Sequence, residues 1–413
     1  MSPKLLRIAL AVASLCLVNS VWADDLEKPI FSLAGFGTVG LVHSTEDQAD
    51  FTASYLQPNG AGYTNSWSAN VDSRFGLQLT GNFTSNFSGV VQLITQQRYN
   101  DSYSPTFEWA NLKYQFTPDL SVRIGRIALP TFLSSDYRTV GYAIPWVRTP
   151  GELSNLIPIT NSDGIDMHYR MHDGDLKDTI QASLGRTTID APSQTQAVAR
   201  AIRGINNTIE YGATTVRLSY LEGDLSLHQG QVQTLFDVFN QFGPQGMAIS
   251  DKYTGLDKQI VYIGMGATYD PGDWFLMGEV GQNRSHSYLG TKTAAYLSAG
   301  YRIEKFTPYL ILAEVNAPNR SDPGLSTNGL PPSELGEVNA LNAALNTVLG
   351  RIAVQKSVAL GVRWDLMKDT ALKVQFDAIQ LGNGSFGDLG NVQPGFVGGG
   401  RVNVTSVVLD FVF

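Results

Sequence analysis

The chain has 413 residues, with 29 Lys and Arg against 37 Asp and Glu, which gives a formal net charge of −8. This acidic balance disfavours a nucleic-acid-binding protein, which would normally be basic. With 41 Gly, 17 Tyr, 19 Phe and only 16% charged residues, the composition also argues against a disordered chain and favours a strand-rich fold.

The start of the chain has the features of a cleaved export signal. Lys4 and Arg7 precede an apolar run over residues 8–18, and a small-residue cleavage site follows. The run is too short for an ordinary membrane-spanning helix, which needs ~20 residues. We therefore predict that residues 1–23 are a signal peptide and that residues 24–413 form a single domain, because no linker-like stretch divides them.

The cysteine and histidine positions in the sequence give little support for a metal or cofactor site. The only cysteine in the sequence, Cys16, lies within the predicted signal peptide, so the exported chain has no thiol for a disulfide, a zinc site or a nucleophile. His168 and His172 are the only histidines near each other, and residues four apart on a strand lie ~13 Å apart, too far to share a metal. We predict no metal site and no cofactor.

A glycine pattern over residues 35–40 matches the dinucleotide-binding motif in outline. That motif must join a strand to a helix within a βαβ unit, whereas here it lies inside the first exported strand and precedes a polar loop. Glycines that let a strand bend or pack closely are the plainer explanation.

Alternating hydrophobicity recurs along the exported chain. In residues 72–83, Phe75, Leu77 and Leu79 occupy one face, while Arg74 and Gln78 belong to the polar face. Similar alternation occurs in residues 110–116, 165–170, 358–365 and 372–377. Repeated segments of ~10 residues with one apolar and one polar face indicate a transmembrane β-barrel with a wet interior.

The connections alternate in length. Short turns are predicted at residues 84–86, 117–119, 172–175, 211–213, 270–273, 303–305 and 367–369, and long loops at residues 44–65, 99–106, 128–160, 188–204, 222–256, 283–291, 316–352 and 382–400. Seven short and eight long connections join sixteen strands. We predict an all-β fold, a 16-stranded antiparallel transmembrane β-barrel with long extracellular loops.

The third long loop differs from an ordinary surface loop. Residues 128–160 contain four prolines and several aromatic side chains, and they follow an alternating strand at residues 120–126. A connection of about thirty residues without regular structure is usually functional. Because its aromatic and aliphatic content suits packing, we predict that this loop folds into the lumen and narrows it.

Candidate pore residues can be chosen by which face of its predicted strand each side chain occupies. The predicted basic ladder on the polar faces of four consecutive strands is Arg74, Arg98, Lys113 and Arg123, and the predicted constriction-loop residues are Asp136, Arg138, Tyr142, Trp146, Arg148 and Glu152. Asp136 and Glu152 would face the cations and produce a transverse field, as charged rings do in selective pores. Any one of these cations can instead merely solvate the lumen. Arg126, one step out of register, would cap its strand at the rim.

Two long loops also carry helical patterns. Val232, Leu235, Phe236 and Phe239 follow one helical spacing, and residues 335–349 follow it less cleanly. Amphipathic helices there would cover the mouth, pack on one another or meet a neighbouring subunit.

The chain ends in a strand with Val407, Leu409, Phe411 and Phe413 on one face. With residues 123–126 (Arg-Ile-Gly-Arg), 306–309 (Phe-Thr-Pro-Tyr) and 360–365 (Leu-Gly-Val-Arg-Trp-Asp), this ending resembles the Gram-negative general porins. The resemblance implies a sixteen-stranded barrel in the outer membrane, usually a homotrimer, whose third loop enters the pore. The compact Pro-Glu-Phe-Gly segment of the best-known third loops is missing from residues 128–160.

Two functions fit such a barrel. The first is a water-filled channel for passive diffusion of small hydrophilic solutes and ions. The alternative is a substrate-selective channel for a sugar or a small aromatic or carboxylate solute, with Tyr142 and Trp146 as a stacking surface. An enzyme is not predicted, because Ser, His and acidic residues show no nucleophile and base arrangement. The predicted partners are membrane lipid, small solutes and identical subunits.

Overall fold

The computed structural model describes residues 30–351 and 353–413. The predicted signal peptide, residues 1–23, lies outside the described residues. No helix in the described ranges is long and apolar enough to cross a membrane.

Within these ranges, sixteen long strands form one antiparallel sheet that closes on itself. The strands are β1 (Phe31–Ser44), β2 (Arg74–Asn82), β3 (Phe87–Gln96), β4 (Thr106–Gln115), β5 (Leu120–Ala128), β6 (Asn161–Asp173), β7 (Leu176–Ala191), β8 (Thr195–Tyr211), β9 (Thr214–His228), β10 (Lys258–Tyr269), β11 (Trp274–Ser285), β12 (Thr291–Tyr301), β13 (Phe306–Asn316), β14 (Gln355–Met367), β15 (Thr370–Leu381) and β16 (Arg401–Val412). The predicted fold class is confirmed.

The barrel closes between its first and last strands. β1 pairs with β16 from Phe36 opposite Val412 to Ser44 opposite Val404, so neither strand is left as an open edge. The glycine-rich segment of β1 fits against aromatic rings here: a Cβ at Gly37 would lie 2.4 Å from the Phe411 ring. The motif at residues 35–40 therefore serves close packing in a strand.

The outer face of the barrel is apolar. Leu79, Ile124, Ile165 and Leu360 are between 41% and 59% exposed, and Ile124 lies opposite Ile165 in the strand register. Large apolar side chains exposed around a closed barrel require a lipid environment, because water would penalise them.

Aromatic side chains gather where the short turns lie. The exposed aromatics next to these turns are Phe31, Phe83, Phe116, Tyr211, Tyr269, Trp274, Tyr301, Phe306 and Trp364. Several stack on one another, as Phe306 and Trp364 do with ring centroids 5.5 Å apart. Such a girdle marks the interface between lipid and water.

The seven predicted short turns are present, but the predicted long loop at residues 188–204 is wrong. β7 continues to Ala191 and β8 begins at Thr195, so the turn is residues 192–194, with Ser193 and Gln194 at φ of 58°. A bulge interrupts this hairpin between Gly185 and Thr187, and a second one interrupts the pairing of β8 with β9 between Arg200 and Arg203. The polar residues and Pro192 read as a loop in the sequence, although backbone pairing extends through them.

The long loops at the opposite rim carry regular structure of their own. Two-residue strands at Asp50–Phe51, Ala61–Gly62 and Trp67–Ser68 lie in the first long loop, and short 3-10 turns occur at Gly141–Ala143 and Asn240–Phe242. The helices in the described residues are α1 (Gly151–Ser154), α2 (Gly230–Phe239), α3 (Gly243–Tyr253) and α4 (Pro332–Leu349). The helical predictions are confirmed for α2 and α4, and α3 was not predicted. These last three helices pack on one another, with Phe236, Phe239, Val338 and Leu345 at most 1% exposed.

Candidate functional site

Residues 129–160, called the inner loop below, fold into the barrel, as predicted. Leu129, Phe132, Trp146, Leu153 and Leu156 of this loop are each at most 4% exposed. They share one hydrophobic cluster with inward-facing side chains of β8 to β14, including Ile202, Leu221, Tyr262, Tyr296, Ile311 and Ala359. This half of the barrel interior is therefore a packed core, and the inner loop is part of it.

Trp146 holds the middle of the inner loop against the wall. Its side chain is 1% exposed, its ring meets Tyr296 edge-on at 5.4 Å, and its Nε1 donates a hydrogen bond to Ser298 Oγ at 2.7 Å. A buried indole with a satisfied N–H is an anchor. Trp146 therefore belongs to the predicted loop, but it offers no stacking surface to a passing solute.

Arg148 forms a two-point polar contact between loop and wall. Its Nε and Nη2 donate to Asp72 Oδ1 and Oδ2 at 2.9 and 2.6 Å, and Nη2 also donates to Ser406 Oγ at 2.6 Å. The Arg148 and Asp72 side chains are 8% and 0% exposed. Burial beside Asp72 and Asp377 leaves the pKa of Arg148 above its ordinary value, because the carboxylates outweigh desolvation. The guanidinium is thus a structural cation.

A buried lysine of the wall completes this attachment. Lys373 of β15 is 0% exposed and its Nζ donates to the backbone carbonyls of Gly141, Ile144 and Trp146 at 2.7 to 2.8 Å. The same Nζ lies 2.8 Å from Asp410 Oδ2 of β16. Lys373 thus gives three loop carbonyls in the lumen a charged hydrogen-bond donor.

The loop approaches the wall so closely at Gly141 that a larger residue would clash. A Cβ there would lie 2.1 Å from Asp410 Oδ1 and 2.5 Å from Thr38 Oγ1. The absence of a side chain at this position is what permits the backbone to reach Lys373.

Glu152 begins the short helix α1 and is also an anchor. Its Oε1 accepts hydrogen bonds from Gln355 Nε2 at 2.9 Å and Ser357 Oγ at 2.6 Å, and the residue is 5% exposed. Burial raises the pKa of Glu152, and the nearby Asp388 carboxylate adds to this rise. The predicted role of Glu152 as a pore-facing charge is wrong, because the carboxyl points into β14.

The wall on the other side of the lumen, from β2 to β6, is lined by polar groups. Gln92 of β3 donates to Gln78 of β2 at 2.8 Å, and Lys113 of β4 lies opposite Arg123 of β5. Arg170 of β6 belongs to the same face and is exposed. The water-filled part of the lumen therefore lies between this wall and the inner loop.

The predicted basic ladder is only partly assembled. Arg74 begins β2, and Lys113 and Arg123 are cross-strand neighbours, so these three face the lumen from the strands predicted. Arg123 is not a free cation, because its Nε and Nη2 donate to both oxygens of the buried Asp166 at 2.9 and 2.5 Å. Arg98 is a correction: β3 ends at Gln96, and Arg98 lies in the following loop, over the Tyr99 ring.

The predicted rim position of Arg126 agrees with the structure. Its Nε and Nη2 donate to the carboxylate of Asp163 at 2.7 and 2.8 Å, and both side chains are well exposed. By strand alternation this pair shares the outer face with Ile124 and Ile165, away from the lumen.

The remaining loop residues face the water column to different extents. Asp136 is exposed and near enough to Arg123 and Arg217 to interact with both electrostatically. Arg138 is half-buried over the Phe132 ring at 5.7 Å. Burial lowers the pKa of Arg138 to about 10, against the opposing effect of Glu108, and Arg74 adds a repulsive charge.

Tyr142 is half-buried beneath a wall arginine. The Arg363 guanidinium carbon lies 4.7 Å from the ring centroid, and its Nη1 donates to the Tyr142 carbonyl at 2.7 Å. Of the predicted loop residues, Asp136 is therefore the one most open to the lumen, and Tyr142 and Arg138 follow.

Sequence reasoning missed the wall residues that receive the loop: Asp72, Glu279, Arg363, Lys373 and Asp410. Glu279 accepts the Leu133 backbone N–H at 2.8 Å and the Tyr296 hydroxyl at 2.8 Å. A signal was present, since Asp72 and Lys373 stand on polar faces of alternating segments. That pattern does not distinguish a lumen residue that meets water from one that meets a loop.

Searches against known proteins agree with this architecture. No family model matches the chain, and no curated protein matches it. Among solved structures, an anion-selective porin from Comamonas acidovorans aligns with a TM-score of 0.53 and 13% identity over 93% of this chain and 99% of that one. Salmonella typhi OmpF has a TM-score of 0.54 and 13% identity over 93% and 97%. The outer membrane channel DcaP of Acinetobacter baumannii has a TM-score of 0.53 and 11% identity over 93% of this chain and 97% of that one. The chain therefore has the fold of the porin-type, multi-pass outer-membrane β-barrels.

Proposed function

We propose that this protein is an outer-membrane porin, a water-filled channel through which small hydrophilic solutes and ions diffuse passively. The observation that carries the proposal is the one-sided position of the inner loop, which is packed on β8 to β14 and pinned to Lys373 and Asp72. The facing wall of Gln78, Lys113 and Arg170 stays in contact with water. A narrowed polar passage through a barrel is the geometry of a diffusion channel.

The charges along this passage favour small anions. Lys113 and Arg170 lie on the open wall without an ion pair to any described residue, whereas Asp136 is the exposed acid of the inner loop. Asp166 and Asp72, two other lumen carboxylates, are neutralised by Arg123 and Arg148. The net field in the passage is therefore positive, although the whole chain is acidic.

A channel, and not an enzyme, is the function that agrees with the structural neighbours, which are porins and outer-membrane channels. The assembly we propose is a homotrimer, on the resemblance to general porins. Chemical cross-linking of the protein in native outer membranes tests it, since a monomer throughout would contradict the trimer.

Conductance in a planar lipid bilayer tests the channel itself. Purified protein should give stepwise current increases in KCl, and the reversal potential in a salt gradient should indicate preference for chloride. Liposome swelling with sugars of graded size should show uptake that falls with size. Folded protein that inserts but conducts nothing would refute the proposal.

A further inference from the structure

A cavity lies between the inner loop and the wall near the long-loop rim. It has a volume of about 250 Å³. Leu156, Ile157 and Ile159 of the inner loop form one side, and the other side is formed by inward side chains of β7 to β10, among them Ile189, Ala199, Ile202, Leu221, Leu225 and Ile260. Most of its lining is aliphatic, and the acidic residue in the lining, Glu222, is paired with Arg203 at 3.5 Å.

Such a lining is unexpected in a channel for hydrophilic solutes. Inward positions of a water-filled barrel are normally polar, as they are on β2 to β4 here. An apolar cavity of ~150 Å³ is large enough to bind benzene in a protein core. This larger cavity can therefore accept a six-membered ring or a short alkyl chain that also carries a polar group.

One end of the cavity carries a positive charge. Lys292 of β12 contributes to the lining, and its Nζ lies 5.5 Å from the centroid of the Tyr55 ring. No hydrogen bond or ion pair connects this Nζ to another residue in the two described ranges. Asn155 and Asn283 line the same cavity and provide further polar groups.

A carboxyl group near Lys292 already has another partner. Asp388 lies in the last long loop and accepts a hydrogen bond from the Tyr55 hydroxyl. Burial raises the pKa of Asp388, and the charge of Lys292 acts in the opposite direction. Within the described ranges no carboxylate lies at ion-pair distance from the Lys292 ammonium group, and a ligand carboxylate would supply that contact.

We propose that this cavity binds a compact apolar monocarboxylate, with the ring or short chain among Leu156, Leu221 and Ile260 and the carboxylate at Lys292. The inference rests on the proposed channel function and names a solute class for it. It places recognition beside the inner loop, whereas Trp146, the residue predicted for stacking, is buried in the wall.

Equilibrium dialysis with radiolabelled benzoate, using folded protein in lipid nanodiscs and empty nanodiscs as blank, tests the site. Benzoate should bind saturably at one site per chain. Benzamide lacks the charge and acetate lacks the ring, so each should compete at least tenfold less well. Equal competition by acetate would overturn the apolar part of the site, and equal competition by benzamide would overturn the ionic part.

Variants separate the site from general charge effects. Lys292→Met should raise the benzoate dissociation constant at least tenfold, and Lys292→Arg should restore most of the affinity. Lys356→Met is the matched control, because Lys356 is exposed, lies 3.5 Å from Glu314 and is not among the residues that line the cavity. Equal loss in both methionine variants would overturn the proposal. Ile260→Thr should weaken benzoate more than acetate.

Dialysis does not depend on conductance, so the two proposals can fail separately. A protein that conducts KCl but binds benzoate no better than acetate refutes the cavity site and leaves the channel. A protein that binds benzoate through Lys292 without conducting refutes passive diffusion and leaves the site. Retention of the heat-modifiable band on gels confirms that each variant is folded.

Discussion

Arg148 of the inner loop and Asp72, two residues before the start of β2, form a two-point ion pair in which both side chains are almost completely buried. The two residues are 76 positions apart in the chain. Arg148 also donates to Ser406 of β16, so these contacts hold the middle of the loop against the wall formed by β16 and the start of β2. The width of the passage is therefore set by a few interactions inside the barrel and not by the strands alone.

Arg148→Met should release part of the inner loop. Removing one partner of a buried ion pair costs about 3–5 kcal/mol, because the remaining charge has no compensation. Asp72 would be that charge, and its expulsion from the wall should loosen residues 146–152. We expect a larger and noisier single-channel conductance in planar bilayers, with the barrel intact since its strand pairing is unaffected.

The matched control breaks an exposed pair of the same kind. Arg126→Met removes the contact with Asp163. The Arg126 and Asp163 side chains are 36% and 48% exposed, so the loss of stability should be at most about 1 kcal/mol. Its conductance should equal that of the unmodified protein. If Arg148→Met also conducts normally, the ion pair does not position the loop.

Ion selectivity should depend on the open wall. In Lys113→Gln combined with Arg170→Gln, the reversal potential in a KCl gradient should shift toward cations. A unit charge changes the energy of an ion 4 Å away by about 1 kcal/mol in water, so the chloride preference should fall by up to about fivefold per charge removed. An unchanged reversal potential would show that the passage runs elsewhere.

The same reversal-potential measurement distinguishes the members of the predicted basic ladder that line the passage from those that do not. The sequence places both Arg74 and Arg98 in the basic ladder, but only Arg74 belongs to a barrel strand. Arg74→Gln should therefore shift the reversal potential, whereas Arg98→Gln, in the loop after β3, should leave it nearly constant.

Much of the barrel could be predicted because alternation is a local signal. Phe75, Leu77 and Leu79 appear on one face in the sequence, and the structure places them on the lipid side of β2. The turns between strands are likewise marked by Pro, Gly and Asp in adjacent positions. The hairpin of β7 and β8 escaped prediction for two reasons: Pro192 and its polar neighbours read as a loop, and the inward Ala197 and Ala199 blur the alternation.

The anchors of the inner loop could not be predicted for a physical reason. An inward-facing lysine or arginine satisfies the polar-face pattern equally well whether it meets water or a carbonyl. Lys373 contacts residues more than 200 positions away, and only the folded loop brings them together. In the same way, no local pattern distinguishes the buried Trp146 from an aromatic residue that is open to solutes.

Docking of the inner loop should tighten as pH falls, through Glu152. Its pKa is raised in the folded protein by burial and by Asp388. A carboxyl group whose folded pKa lies above its ordinary value of about 4.3 adds stability below that value, and this contribution is lost as pH rises through the raised pKa. Amide hydrogen exchange of residues 151–157, corrected for intrinsic rates, should show greater protection at pH 4 than at pH 7.

The variant Glu152→Gln isolates this effect. The amide keeps the oxygen that accepts from Gln355 and Ser357 but has no charge to desolvate. Amide protection of residues 151–157 at pH 7 should rise. The difference in protection between pH 4 and pH 7 should shrink to the part that Asp388 contributes. Asp388→Asn in the same background should remove the rest. A pH dependence equal to that of the unmodified protein would exclude Glu152 as its source.

Lys373 and Asp410 should behave as a coupled pair in a double-mutant cycle. Lys373→Met removes the donor to three loop carbonyls and leaves Asp410 buried without its cation, so it should destabilise the loop by about 3–5 kcal/mol. Asp410→Asn keeps the hydrogen bond from Thr38 and should cost less. In the double variant the buried charge is gone, and the loss should be smaller than the sum of the single losses by at least about 1 kcal/mol. Hydrogen exchange of residues 141–147 gives the free energy of local opening in each variant, and strictly additive losses would mean that Lys373 acts on the loop carbonyls alone.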